Sequence, residues 1–247
     1  MDKLELVVFD MAGTTFKDPS IISASIKQAA VQSGLDAKMK EVEKLQGLSI
    51  TDAVYQLWVD EVGEKSNKIE SKASGTYTLL MAILENYYRT HEVLATDGTI
   101  ETFSWLRTNN IKVALTSSLN RNITNIILKR LGWDRGLNDE FVAEGPAVVD
   151  LSLTPDEVGG KGRPHPDMIL KAMEILEVKD PEHVIKVGDT PADLKAGKAA
   201  GCGMSIAVTN GAFDKVQLME HDNDGLINSM TDFKEFVLAN VGEKITI

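Results

Sequence analysis

The chain alternates short unbroken apolar runs with longer stretches in which apolar positions recur every three or four residues. The unbroken runs, residues 4–9, 112–115, 184–187 and 204–208, are predicted strands, and 141–143 is a weaker candidate. The three-to-four spacing predicts helices over 119–131, 166–176 and 191–200. Strands alternating with helices in this way build a parallel sheet, so the fold class is α/β. Between the first strand and residue 94 the pattern changes. Residues 20–33, 51–62 and 69–89 all read as helices, with no convincing strand among them. That interval is too long for a strand-to-helix loop inside one compact domain. The expected organisation is a core of residues 1–16 and 97–247 with an all-helical domain, 17–96, inserted after the first strand. Its hinges fall near 15–19 and 94–98. Residues 148–162 read as a polar, glycine-containing, mobile loop.

At 247 residues, with 43% hydrophobic and 26% charged positions, the chain can bury a sizeable core. Its net charge of -11 argues against binding nucleic acid through bulk electrostatics. A small phosphate ester is still compatible, because a metal ion and a few basic side chains invert the field locally. Cys202 is the only cysteine, so no intramolecular disulfide can form, and its setting among Ala199, Ala200, Gly201 and Gly203 reads as a small buried apolar residue. No apolar run approaches the length of a membrane span. The amino terminus enters a strand at once, leaving no room for a signal peptide, so a cytoplasmic enzyme is expected.

Candidate chemistry gathers where predicted strands end, which in an open parallel sheet is where ligands sit. The first strand runs into Asp10, followed by Met11, Ala12 and a Gly13-Thr14-Thr15 turn. A turn aspartate is the bland alternative. The second strand ends in Thr116, Ser117 and Ser118, hydroxyls that either bind an anion or cap the next helix. A loop then carries Lys161, Gly162, Arg163, Pro164 and His165 before Pro166, which suits a helix start. The fourth group runs through Gly188 and Asp189 to Thr190, Pro191, Ala192 and Asp193. Thr190 at the N-cap, Pro191 at the first helical position and an acid two residues later make a helix start, so Asp193 is half explained structurally. Asp189 has no such role. Placed beside Asp10 across neighbouring strands, it would repel it unless a divalent cation joined the two, and magnesium suits such oxygen donors.

Jointly these groups resemble the four motifs of the haloacid dehalogenase superfamily, in the expected order and across nearly the whole chain. With Ala12 two residues after Asp10, they are most similar to its phosphonoacetaldehyde hydrolase branch, the phosphonatases. The resemblance implies a Rossmann-like core under a helical cap that closes over the active site. Asp10 would be the nucleophile that forms a phosphoaspartyl intermediate, with Gly13, Thr14 and Ser117 contacting phosphate. Mg²⁺ would be held by Asp10, the Ala12 carbonyl and Asp189. Thr116 and Arg163 would hold the phosphoryl oxygens, Arg163 being favoured over Lys161 as the cation, and Asp193 would orient the loop or a metal-bound water. The family's usual leaving-group acid is absent at Ala12. Phosphonatases compensate with a cap lysine that forms a Schiff base, but Ile50 holds that position here, and Lys44 and Lys65 do not match the motif. The expected activity is therefore release of phosphate from a small phosphorylated metabolite. Cleavage of a C–P bond in a phosphonate and non-catalytic binding of a phosphometabolite are the alternatives. A homodimer is compatible with the resemblance, and neither a nucleic-acid partner nor a membrane is expected.

Overall fold

In a computed structural model, which describes residues 3–241, the apolar runs form a six-stranded sheet in which every neighbouring pair is parallel. The strands are β1 (Leu6–Asp10), β2 (Lys112–Thr116), β3 (Leu151–Leu153), β4 (Val184–Gly188), β5 (Met204–Val208) and β6 (Gly225–Ile227). Their order is β3-β2-β1-β4-β5-β6. The chain therefore builds outward from β1 in one direction and returns to build the other half from its opposite edge. The crevice at that reversal, beyond the carboxyl ends of β1 and β4, is where a doubly wound sheet accepts ligands.

Helices α1 (Ile21–Gln32), α2 (Met39–Glu43), α3 (Ile50–Val62) and α4 (Ile69–Thr90) all fall between β1 and β2. The core then follows with α5 (Thr99–Thr108), α6 (Arg121–Leu131), α7 (Asp167–Ile175), α8 (Pro191–Ala200), α9 (Lys215–Met219) and α10 (Phe233–Val241). The two strands of chain that lead into and out of the helical insertion pair with each other. Lys17 N–H donates to Leu94 O at 2.8 Å and Thr96 N–H to Thr15 O at 3.0 Å, and Lys17 forms an ion pair with Asp97 at 2.9 Å.

Strand alternation divides the core into two faces. Val7, Phe9, Val113, Leu115, Ile185 and Val187 pack with Phe103, Ile127 and Phe233, on the side of α5, α6 and α10. Leu6, Val8, Ala114 and Val184 pack with Ile169, Ala172, Ala196 and Ala200, on the side of α7 and α8. By the same period of two, Asp10, Thr116 and Lys186 point to the α7 and α8 side.

Two sequence expectations are corrected. The stretch 148–162 is more than a loop: it contains β3, three residues of edge strand, and a short 3₁₀ turn over Pro155–Val158. Residues 141–143 add no strand to the parallel sheet. They make only isolated antiparallel bridges, Leu137 with Ala143 and Val142 with Leu151.

Candidate active site

Four loops at the carboxyl edge of the sheet converge on one buried charge cluster. Asp10 ends β1, and the chain then turns so tightly that the amides of Thr15 and Phe16 both donate to Met11 O. Gly13 makes the turn possible: its φ is 84°, and a Cβ there would lie 2.3 Å from Asp189 Oδ2. Only glycine allows both the left-handed backbone and the approach to a carboxylate. The Ala12 carbonyl accepts no main-chain hydrogen bond among the described residues and is left free at the rim.

Asp189 follows Gly188 directly and is fully buried. One of its oxygens accepts from the Thr14 hydroxyl at 3.0 Å, and the other from Ala212 N–H at 2.6 Å. Asp193 sits one turn into α8, where Thr190 caps the helix and donates its hydroxyl to Asp193 Oδ2 at 2.6 Å. Arg163, at 3% exposure, forms ion pairs with both Asp10 and Asp193. Lys186, inside β4 and only 1% exposed, forms an ion pair with Asp193 Oδ1 at 2.8 Å and donates to Val187 O at 3.1 Å.

The resulting electrostatics are uneven. Burial would push the Asp193 carboxyl up, but Arg163 and then Lys186 hold it well below the usual carboxylate range. Burial raises Asp10, with Asp193 adding to the shift and Arg163 opposing it. Burial and the neighbouring Asp10 and Asp193 carboxylates raise Asp189 well above its ordinary value. The Arg163 guanidinium, although buried, is held charged by Asp10 and Asp193. Asp193 is thus saturated with cations, whereas Asp10 and Asp189 share a deficit. Oxygens of the three acids lie within 4.8 Å of one another. A buried all-oxygen donor set with more negative than positive charge fits a hard divalent cation.

A model of the haloacid dehalogenase-like hydrolases matches residues 4–201 of this sequence. The chain belongs to the haloacid dehalogenase-like hydrolases. It is 30% identical over 211 residues to a phosphonoacetaldehyde hydrolase of Bacillus cereus, covering 81% of this chain and 74% of that protein. It is also 28% identical over 223 residues to a bifunctional phosphonoacetaldehyde hydrolase/aminoethylphosphonate transaminase of Clostridioides difficile. That match takes in 85% of this chain and 32% of the bifunctional protein, so the chain spans about a third of its length. Among solved structures, a phosphonoacetaldehyde hydrolase-like protein from Oleispira antarctica superposes with a TM-score of 0.75 at 20% identity, over 96% of this chain and 92% of that one.

In this hydrolase the remaining predicted residues divide. Asp10, Gly13, Thr14, Arg163, Asp189 and Asp193 come together. Thr116 lies beside them, its hydroxyl donating to Phe9 O at 3.2 Å, and it pairs with Asp10 in the register of β1 and β2. The Ser117 hydroxyl accepts from Leu119 N–H at 3.1 Å, a turn contact. Lys161 lies outside the cluster: it is exposed and pairs with Asp167 at 3.3 Å. His165, Lys44 and Lys65 are also exposed. Cys202 is buried, and that burial pushes its thiol up to about 12, as an inert core residue requires. Among the described residues no helix is long and apolar enough to cross a membrane.

The helical insertion closes the cluster from above. The Ile50 amide donates to Ser118 O at 3.1 Å, and a Cβ on Gly47 would meet Thr190 Oγ1 at 2.3 Å. Between insertion and core lies a cavity of about 40 Å³ whose floor carries Asp10, Ala12, Arg163 and Asp189. Ile22, Leu48 and Ile50 give its upper wall an apolar character, and Asp18 interrupts that wall. Tyr55, Trp58 and Tyr77 do not line it. Trp58 is core, donating to Thr76 at 2.9 Å. Sequence reading missed Lys186, Ala212 and Asp18. A lysine within an otherwise apolar strand was the available signal for the first. The other two carry no motif.

Proposed function

We propose that this protein releases phosphate from the ester of a small metabolite through a phosphoaspartyl intermediate at Asp10, with Mg²⁺ as cofactor and the helical insertion serving as the cap. The observation that carries this reading is the make-up of the cavity. A buried aspartate lies beneath it, paired with an arginine, and no lysine lines it among the described residues. Imine chemistry needs a lysine within reach of the substrate carbonyl. Ile50 stands in the wall instead, which favours O–P over C–P cleavage.

The chain's own groups suit an in-line displacement. Asp10 presents a carboxylate oxygen to phosphorus. Arg163, fixed by Asp193, offers a planar fork to the phosphoryl oxygens, whereas the Thr116 hydroxyl is committed to Phe9 O. Lys186 and Thr190 hold Asp193 so that the arginine cannot swing away. Mg²⁺ held by Asp10, Asp189 and the Ala12 carbonyl would supply positive charge for the two acids and the transferring group. The closed cap excludes water from the first half-reaction.

The test is a screen of phosphorylated metabolites with Mg²⁺, read as phosphate release and as phosphorus bound to protein. Activity should vanish on chelation and in Asp10→Asn. Borohydride trapping of a lysine adduct with phosphonoacetaldehyde would overturn O–P chemistry, and an unlabelled Asp10 with every substrate would favour a binding protein.

A further inference from the structure

The alanine at position 12 removes the family's usual proton donor, yet an alkoxide leaving group needs a proton as it departs. One other carboxyl borders the same cavity without joining the charge cluster. Asp18 lies in the linker between the Lys17–Leu94 pairing and α1, and it lines the cavity together with Asp10 and Ala12. Its Oδ1 accepts from Ile21 N–H at 2.8 Å, which fixes the carboxyl at the start of α1. No cation pairs with it among the described residues; the adjacent Lys17 turns outward to Asp97.

We infer that Asp18 is the proton donor to the leaving group, replacing from the cap side the acid that Ala12 lacks; this rests on the phosphohydrolase reading above. As Asp10 bonds to phosphorus and the ester P–O bond breaks, the departing oxygen takes the Asp18 proton and leaves as an alcohol. Water then attacks the phosphorus, Asp18 takes up the water's proton, and Asp10 is freed with inorganic phosphate. Burial supports this, pushing the Asp18 carboxyl up to about 6 against the two helix-start amides, of Ile21 and Ile22, that favour its charged form. An acid of that strength is suited to proton transfer near neutral pH. The titratable group facing it from α4 is Tyr88, a buried phenol whose hydroxyl has no hydrogen-bond partner. Asp10, Asp189 and Arg163 line the same cavity.

The rival explanation is that Asp18 only caps α1. Asp18→Asn separates the two, because asparagine caps a helix as well as aspartate but carries no acidic proton. The probes are n-butyl phosphate, whose alkoxide needs protonation, and p-nitrophenyl phosphate, whose leaving group does not. Asp18→Asn should lose on the order of a hundredfold or more in kcat/KM on butyl phosphate. Its loss on p-nitrophenyl phosphate should be at least about thirtyfold smaller. The wild-type rate on butyl phosphate should fall as pH rises above the Asp18 titration, and that limb should be missing in the variant. Equal losses on both probes, or no loss on butyl phosphate, overturn the inference and leave the phosphohydrolase reading standing. So does a wild type that turns over only the nitrophenyl ester. A wild type that cleaves neither probe and never phosphorylates Asp10 overturns that reading itself, and the role of Asp18 with it.

Discussion

Lys186→Met isolates the contribution of the buried charge network with little change of side-chain volume. In the wild type, Lys186 is 1% exposed and pairs with Asp193 Oδ1 at 2.8 Å. Removing one partner of a buried ion pair costs about 3–5 kcal/mol, because the other charge stays desolvated. Here Asp193 keeps Arg163 and Thr190, which places the loss near about 3 kcal/mol. For a chain of this size that corresponds to a melting temperature lower by roughly 6–12 °C. The pH dependence has a definite sign. Asp193 titrates below its unfolded value, so its contribution to stability is present above about pH 4 and is lost as pH falls through the depressed value. Losing Lys186 moves that titration upward. The deficit of the variant should therefore be largest near neutral pH and should shrink on acidification below about pH 4. Circular dichroism melts at several pH values measure it. Combining Lys186→Met with Asp193→Asn should cost less than the sum of the singles by about 1 kcal/mol or more. A melting temperature unchanged by Lys186→Met, or strictly additive singles, would refute the claim that this lysine serves Asp193.

Two further outcomes follow from the geometry around Asp10. Gly13→Ala forces a side chain into a left-handed position and onto Asp189 Oδ2, so it should destabilise by about 1–3 kcal/mol in urea denaturation and weaken the Mg²⁺-dependent thermal shift. Ala12→Asp supplies a carboxyl two residues after the nucleophile and, placed in the Asp18→Asn protein, should restore turnover of alkyl phosphates by roughly tenfold or more, read as phosphate release. A folded double variant no faster than Asp18→Asn would sink the account of the missing acid.

The central strands were legible because they are buried on both faces and read as unbroken apolar runs. Edge strands carry no such signature. β3 is Leu-Ser-Leu within a polar stretch, and β6 is Gly-Leu-Ile next to three Asp and Asn residues. Each becomes a strand through its single neighbour, not through its own pattern. Residues 141–143 show the converse, an apolar triplet that meets the β3 edge only through one isolated antiparallel bridge, Val142 with Leu151. In the site, the strand-end acids were legible because each directly follows an apolar strand, and Arg163 because its motif resembles the family's. Lys186 was not, since its partner lies on α8, and the sequence does not say that strand and helix face each other. Lys161 shows the limit from the other side. Two residues from Arg163, it has the right charge, but its side chain points to solvent and pairs with Asp167.

Charge balance at the floor of the cavity connects metal, substrate and cap. With all groups ionised, Asp10, Asp189 and Asp193 carry three negative charges against two positive ones on Arg163 and Lys186. One uncompensated negative charge is therefore buried, and it falls on Asp10 and Asp189, the two carboxyls pushed upward. In that state the floor repels a phosphate dianion. A divalent cation reverses the sign, leaving one positive charge that a phosphate ester can meet. Ion and ester should then bind with positive coupling, each raising the affinity of the other by the same factor. Calorimetry of inorganic phosphate with and without Mg²⁺ tests this directly, and equal phosphate affinity in both conditions would contradict it.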